Sequence, residues 1–520
     1  MRAVIHPCGL AVASVLVLSP CLRHAGAVDT QRTECRAFHN LAEDSGGGEV
    51  DLGFGRSIAF AQGSLLSADP LGYQSSNDGL FGRAVLFSMA QTEPIVLNGE
   101  FVPVGTPDRV DCRTDGGSST RCSYFGYSVA LGGGFAAVGE PWREGATSRD
   151  TGRVSIHLTG TSDEPLHVLG PSDPDVDSGF GRTLILRDDV LLVGIDGVTD
   201  ADGRRGAVEV FDTDGFASLG MLPMPPPANL ALNDVFGHSI GVDASSDLVV
   251  IGSRNDPNAT EESGFGAAHL YSLVTSAKGA PALFERITSF QPPFDPSDPF
   301  IGTDEFGASV AIEAGHAAVG APGRGSKGMV YLYTRGVGGI WSFDRTISAP
   351  NGDNLTAFDF GSSLEISDGR VYVGAPGTKF LEGSKGTGAV FSFDIDDPGA
   401  CIRTYRASSA FQSPPLRERL GYDIEVDGDF LYAGAPGRCC DLARVLRFSL
   451  IPADVDFDGT VDVADLLSVI TAWGTCSGCP EDINCDGLVN VSDLLEVIAE
   501  WRGVQVTPSV LHGPSSSLGG

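Results

Sequence analysis

A Phe-Gly pair opens a unit that recurs along most of this chain, at Phe54-Gly55, Phe125-Gly126, Phe180-Gly181, Phe236-Gly237, Phe306-Gly307 and Phe360-Gly361, with Leu420-Gly421 as a seventh, altered copy. Thirteen residues after that glycine comes a second marker: Gly139-Glu140-Pro141, Gly194-Ile195-Asp196, Gly320-Ala321-Pro322, Gly374-Ala375-Pro376 and Gly434-Ala435-Pro436. The fourth copy, Gly252-Ser253, falls two residues late, and the first has become Ala68-Asp69-Pro70. Repeats at this period constrain the fold more than any local pattern, because one unit cannot bury its faces alone and must stack on its neighbours.

Inside each unit, short runs bounded by Gly, Pro and Asp have the length and composition of strands. Leu191-Leu192-Val193 and Val249-Val250-Ile251 are continuously apolar, as expected of strands covered on both faces, whereas Val330-Tyr331-Leu332-Tyr333 and Val390-Phe391-Ser392-Phe393 are aromatic and β-branched. The fifth unit predicts four strands, Ser309 to Ile312, His316 to Val319, Met329 to Tyr333 and Trp341 to Ile347. Seven four-stranded units predict an all-β, seven-bladed propeller. The seventh unit stops after its third strand, Val445 to Ser449, while Cys35-Arg36-Ala37-Phe38-His39 precedes the first Phe-Gly where other units carry a fourth strand. The N-terminal segment is therefore expected to supply the outer strand of the last blade and to remove an exposed edge.

After the repeats, Asp454-x-Asp456-x-Asp458-Gly459 returns twenty-eight residues later as Asp482-x-Asn484-x-Asp486-Gly487. A calcium loop takes side-chain oxygens at positions 1, 3 and 5, a backbone carbonyl at 7, a water-mediated contact at 9 and a closing carboxylate at 12, with Gly at 6 for the turn. Asp454, Asp456, Asp458, Thr460, Asp462 and Asp465 fill these slots in the first copy, and Asp482, Asn484, Asp486, Leu488, Asn490 and Asp493 fill them in the second. The helix that follows is copied too: Leu466, Leu467, Val469, Ile470 and Trp473 match Leu494, Leu495, Val497, Ile498 and Trp501. Acidic surface turns have no reason to repeat a helix at a fixed offset, so the reading is two bound Ca2+ ions in a small α-helical domain.

Arg2, the apolar run Gly9 to Leu18 and Ala25-Gly26-Ala27 read as a secretory signal over residues 1–27, which places the protein outside the cell or on its surface. No later apolar run approaches the ~20 residues of a membrane-spanning helix, so no direct membrane insertion is expected. The formal net charge of −33 argues against nucleic acid and anionic membrane surfaces, whose binding relies on clustered cations. Eleven cysteines include Cys8 and Cys21 of the leader and leave an odd number behind. Cys112 and Cys122 flank a polar loop that a disulfide would close, while Cys439 and Cys440 are adjacent; connectivity stays open. Cys476-x-x-Cys479 and Cys485 lack the second pair or histidine of a zinc site, which leaves a short disulfide or free thiols.

Three other patterns lead nowhere. Gly237-His238-Ser239-Ile240-Gly241 fits a nucleophile elbow, but that Ser recurs as Ser57, Ser128, Ser309 and Ser363 and belongs to the repeat. Gly323-Arg324-Gly325-Ser326-Lys327-Gly328 fits a phosphate loop, yet it joins two strands and reads as a hairpin turn. Asp173-x-Asp175-x-Asp177 is interrupted by Pro174 and reads as an ordinary turn.

In motif order and spacing, the units resemble FG-GAP repeats, the blades of the integrin alpha-subunit head, over roughly residues 34–450. Their Phe-Gly and Gly-Ala-Pro strands lack the Asp-rich loop many such blades carry; the connection in the fifth unit is only Glu313-Ala314-Gly315. The C-terminal loops and helices look like a type I dockerin, which closes its loops with Asp rather than Glu and binds cohesin modules. The resemblance implies a cohesin-like partner and gives Val463, Ala464, Val491 and Ser492 a part in selecting it. The resulting division is a signal over 1–27, a propeller over 28–450, a dockerin-like domain over 453–503 and a tail over 504–520 expected to be disordered. The function expected is a secreted, non-enzymatic binding protein, its propeller loops offered to an extracellular protein or glycan and its calcium module docked to an assembly. Two alternatives stay open: a polysaccharide-active hydrolase or lyase on the propeller, which clustered carboxylates on its axis would favour, and a calcium module that is only a structural cap.

Overall fold

The computed structural model describes residues 53–75, 79–88, 96–102, 124–142, 151–160, 164–172, 179–187, 189–199, 205–223, 225, 234–255, 266–274, 283–293, 304–350, 356–380, 386–397, 402–407, 418–437, 443–456, 460–475, 481–484 and 486–501, with strands at 32–33 and 36–39. The signal segment, the tail, every cysteine, Asp458 and the Asp173 turn lie outside the described residues. The chain divides into two compact units, one over Thr33–Phe448 and one over Ser449–Gly520.

The first unit is built of antiparallel sheets, and each Phe-Gly repeat contributes its strands to one of them. The fifth repeat forms Ser309–Glu313, His316–Ala321, Met329–Arg335 and Trp341–Ser348, each strand slightly longer than the sequence pattern and paired in chain order. Leu191, Leu192, Val193, Val249, Val250 and Ile251 are fully buried, which accounts for their lack of polar alternation. The third and fourth repeats depart from separation: Arg205 and Gly206 pair in parallel with Val235 and Phe236, so their strands form one eight-stranded sheet. Elsewhere the same junction is a single parallel bridge, as at Gly266 with Phe306 and Gly328 with Phe360. One more pair of residues in ladder geometry is all that separates the two cases.

The strand Arg36–His39 pairs antiparallel with Arg444–Ser449 and forms the outer edge of the last sheet. That sheet in turn packs on the first: Phe54, Ile58, Leu65 and Phe87 share one apolar cluster with Tyr432, Ala443 and Val445.

Both sequence markers are explained by hydrogen bonds. Within a repeat, the Phe-Gly amide donates to the carbonyl of the second marker, Gly307 to Gly320 and Gly361 to Gly374, at 3.0 Å each. Between repeats, the hydroxyl two residues after Phe-Gly donates to the next sheet: Ser128 to the Gly181 carbonyl at 2.7 Å, Ser239 to Gly307 at 2.9 Å, Ser309 to Gly361 at 2.6 Å and Ser363 to Gly421 at 2.9 Å. Thr183 donates likewise to the His238 carbonyl at 2.9 Å. Ser239 is therefore a joint between sheets. The Gly323–Gly328 segment links two antiparallel strands, as a hairpin turn does.

In the second unit, helix α1 spans Val463–Thr471 and helix α2 spans Val491–Glu500. Their starts are set by Asp462 and Asn490 as N-caps, each in a capping box with the acid three residues on, Asp465 or Asp493. Gly474–Thr475 pairs with Leu488–Val489. Val455, Val461, Val469, Ile483, Val489 and Val497 form the core, with Leu466, Leu494 and Trp501 packed against it.

Candidate metal centre and shared cavity

Asp454, Asp456 and Asp465 bring carboxylate oxygens within 4.8 Å of one another, with Asp454 and Asp465 buried. Like charges at that range repel by about 1 kcal/mol per pair even in bulk water, and by more near protein. The arrangement is held by the backbone: Asp465 Oδ1 accepts from the Val455 amide at 2.8 Å and the Asp456 amide at 3.1 Å, and Oδ2 from the Asp462 amide at 2.8 Å. These bonds fix the Asp465 carboxylate beside Asp454 and Asp456, a set of three acids that could hold a metal ion. All the donors are hard oxygens, the set calcium prefers.

The second loop repeats this geometry. Asp493 Oδ1 accepts from Ile483 at 2.8 Å and Asn484 at 3.2 Å, and Oδ2 from Asn490 at 2.9 Å. Asp482 accepts from the Asp486 amide at 3.1 Å and the Gly487 amide at 3.0 Å, so its carboxylate already sits inside the turn. Burial pushes the Asp482 carboxyl up, and the neighbouring Asp493 and Asp486 add to this. Among the described residues, only the first loop gathers three acids as tightly as stated above. Asn484 and Asp486 are exposed, and Asp486 Oδ1 accepts from the Leu488 amide at 2.9 Å. Asp462 and Asn490 spend one side-chain oxygen on helix capping, accepting from Ala464 at 2.7 Å and Ser492 at 2.8 Å. Thr460 is exposed, and the Leu488 carbonyl accepts from Asn490 Nδ2 at 3.2 Å.

Val463 and Val491 are each 55% exposed, and Ala464 and Ser492 lie at the same helix starts. The structure adds to them Leu467, Ile470, Leu495 and Ile498, all large, apolar and exposed. In the repeated helix these residues follow the valine at successive spacings of four and three residues, on one face. The alignment of the two copies carried that signal, but without a core to compare with, exposed and buried apolar positions read alike.

A second feature lies in the larger unit. The strands that open all seven repeats line one cavity of ≈ 610 Å³. Next to the Phe-Gly positions stand Arg56, Tyr127, Arg182, His238 and Tyr422, with Arg254 from a neighbouring strand. The Arg56 guanidinium lies 4.5 Å from the Tyr127 ring centre and donates to its hydroxyl at 3.0 Å; that of Arg182 lies 5.0 Å from the same ring and bonds Asp196 at 2.7 Å. Burial would raise the Tyr127 phenol, yet Arg182 and Arg56 together bring it below its ordinary value. His238 is held well below the usual range by burial and by Arg254 and Arg182.

Three residues further along the strands, the repeats carry Ala59, Ala130, Ile185, Gly241 and Ala311, but the sixth and seventh carry Glu365 and Glu425. Both carboxyls are enclosed by protein and half-buried because they face the cavity, and neither makes a hydrogen bond or ion pair with another described residue. Burial raises both, and their neighbours add to it: Glu313 and Asp423 for Glu365, and Glu365, Asp423 and Asp427 for Glu425. Asp423, which replaces the joint serine and accepts from the Ile58 amide at 2.8 Å, is pushed up to about 6 by burial.

No family model matches the chain, and no characterised protein matches it in sequence.

Proposed function

We propose that the protein is an exported binding protein in which a seven-bladed, FG-GAP-like propeller is joined along the chain to a dockerin-like module that binds two calcium ions and docks a cohesin-like partner. One observation carries the docking half of this reading: the same exposed apolar set occurs twice, Val463, Leu467 and Ile470 on α1 and Val491, Leu495 and Ile498 on α2. Large apolar side chains exposed together on one helix face are costly to leave in water and are characteristic of protein–protein contact. The loops supply the link to calcium, because the carboxylates that would hold the ion also cap and order the helices that display the face.

Calcium would neutralise the crowded loop acids and so add its binding energy to the folding of the module. The propeller half is supported by seven repeats whose opening strands share one cavity and whose last sheet packs on the first, and the carboxyls of Glu365, Asp423 and Glu425 gathered in that cavity favour a polysaccharide-active enzyme as the second reading. The test is a pull-down with the full chain from the envelope and medium of the producing cell, in calcium and in excess chelator. Capture of one partner in calcium alone, lost in Leu467→Ser/Leu495→Ser, supports the proposal. Equal capture in chelator, or none in either condition, leaves the calcium module as a cap.

A further inference from the structure

The shared cavity carries basic groups at one end and acidic groups in its middle. Its Phe-Gly end holds three guanidinium groups, of which Arg182 bonds Asp196 at 2.7 Å and Arg254 stands 3.9 Å from Glu305. The middle holds the Glu365 and Glu425 carboxyls, opposite alanines and a glycine that leave them room. The two zones are three residues apart along the strands, roughly 10 Å at about 3.3 Å per residue.

We propose that this cavity binds a small dipolar molecule, its carboxylate held by Arg56, Arg182 and Arg254 and its ammonium group by Glu365 and Glu425, and that an extended peptide of about three residues has the matching length. The cavity, at ≈ 610 Å³, falls among small-molecule sites, which run from about 300 to 1,000 Å³. Opposite charges at the two ends give such a ligand both affinity and a fixed direction. The ammonium would supply the counter-charge that two adjacent buried carboxyls need in order to ionise, and guanidinium forks suit a carboxylate. A simple metal ion fits less well: among the described residues, only the Asp454 loop brings three acids within metal-binding range. The inference concerns the larger unit and is independent of calcium and of any docking partner.

The test is calorimetry on the full-length protein with glycine, diglycine, triglycine and tetraglycine, and with triglycine acetylated at its amine or amidated at its carboxyl. Triglycine should bind best, and each blocked form should bind about tenfold or more weakly, the usual scale for a hydrogen-bonded charge. Glu425→Gln and Arg254→Gln should each weaken triglycine to a similar extent. If no oligomer gives saturable heat, if blocking either end changes nothing, or if neutral oligosaccharides bind in place of peptides, the assignment fails. The blocked ligands decide the matter even if a variant misfolds.

Discussion

Replacing Gly320 by alanine would strike the joint between the fifth and sixth sheets. A Cβ at Gly320 would lie 2.2 Å from the Gly361 carbonyl oxygen and 2.2 Å from Ser309 Oγ. The methyl group must therefore displace the next sheet by about 1 Å to reach ordinary contact, and it must also disturb the 2.6 Å bond from Ser309 to that same carbonyl. Overpacking costs about 1–3 kcal/mol and a buried carbonyl left short of its donor about 1–3 kcal/mol, so a loss of roughly 2–6 kcal/mol is expected. At ~2.1 cal/mol/K per residue, unfolding a unit that spans Thr33–Phe448 carries on the order of 0.9 kcal/mol/K of entropy, which converts the loss to a fall of about 2–7 °C. Scanning calorimetry of the full chain measures it, with Gly170→Ala as control, since nothing lies within 4 Å of a Cβ there. An unchanged melting temperature in Gly320→Ala would refute the close approach of the sheets, and with it the account of why the second marker begins with glycine.

Four further outcomes are expected. Deleting residues 28–41 removes the outer strand beside Arg444–Ser449 and should lower the melting temperature of the larger unit; unchanged melting would show that the strand contributes nothing. Asp465→Ala removes a capping-box acid and a loop ligand together, so α1 should lose about 1 kcal/mol of capping in the absence of calcium and the rise in stability on adding the ion should shrink, both read by circular dichroism. Asp423, Glu365 and Glu425 have folded values raised above the unfolded ~4, so their stabilising effect is full below pH 4 and is lost as pH rises through about 6 for Asp423 and higher for the pair. Glu365→Gln should accordingly raise the melting temperature at pH 9 more than at pH 5; an equal change at both would sink the linkage. Leu467→Ser and Leu495→Ser should leave melting within about 0.5 kcal/mol of the parent, because both side chains are more than half exposed in the free protein.

The strands of the fifth repeat were readable almost to the residue, because apolar runs, turn glycines and a fixed repeat length all agree there. The serine after Phe-Gly was recognisable as part of the repeat, but its hydrogen bond to the next sheet was not, since a sequence names no neighbour. The two acidic loops and the helices after them were legible by residue type and spacing; that Asp462 and Asn490 would also cap their helices follows from the same residues, read as N-cap signals. Glu365 and Glu425 went unnoticed. Aligning the fourth residue after each Phe-Gly pair sets them against a column of Ala, Ile and Gly, and that contrast was the available signal. What the column alone does not say is that it faces a shared cavity, which is a property of seven strands brought together.

The pairing of Arg36–His39 with Arg444–Ser449 has a mechanical consequence. Arg36 lies opposite Arg447 and His39 opposite Arg444, so the chain enters and leaves this sheet at the same end. Tension applied between the two ends of the polypeptide would load these ladder bonds one after another, in the manner of a zip, rather than all at once in shear. Because Arg32–Thr33, just before this strand, pairs with Arg403–Arg406 in the sheet of the sixth repeat, a stretched molecule should release that short pairing first and then open the seam.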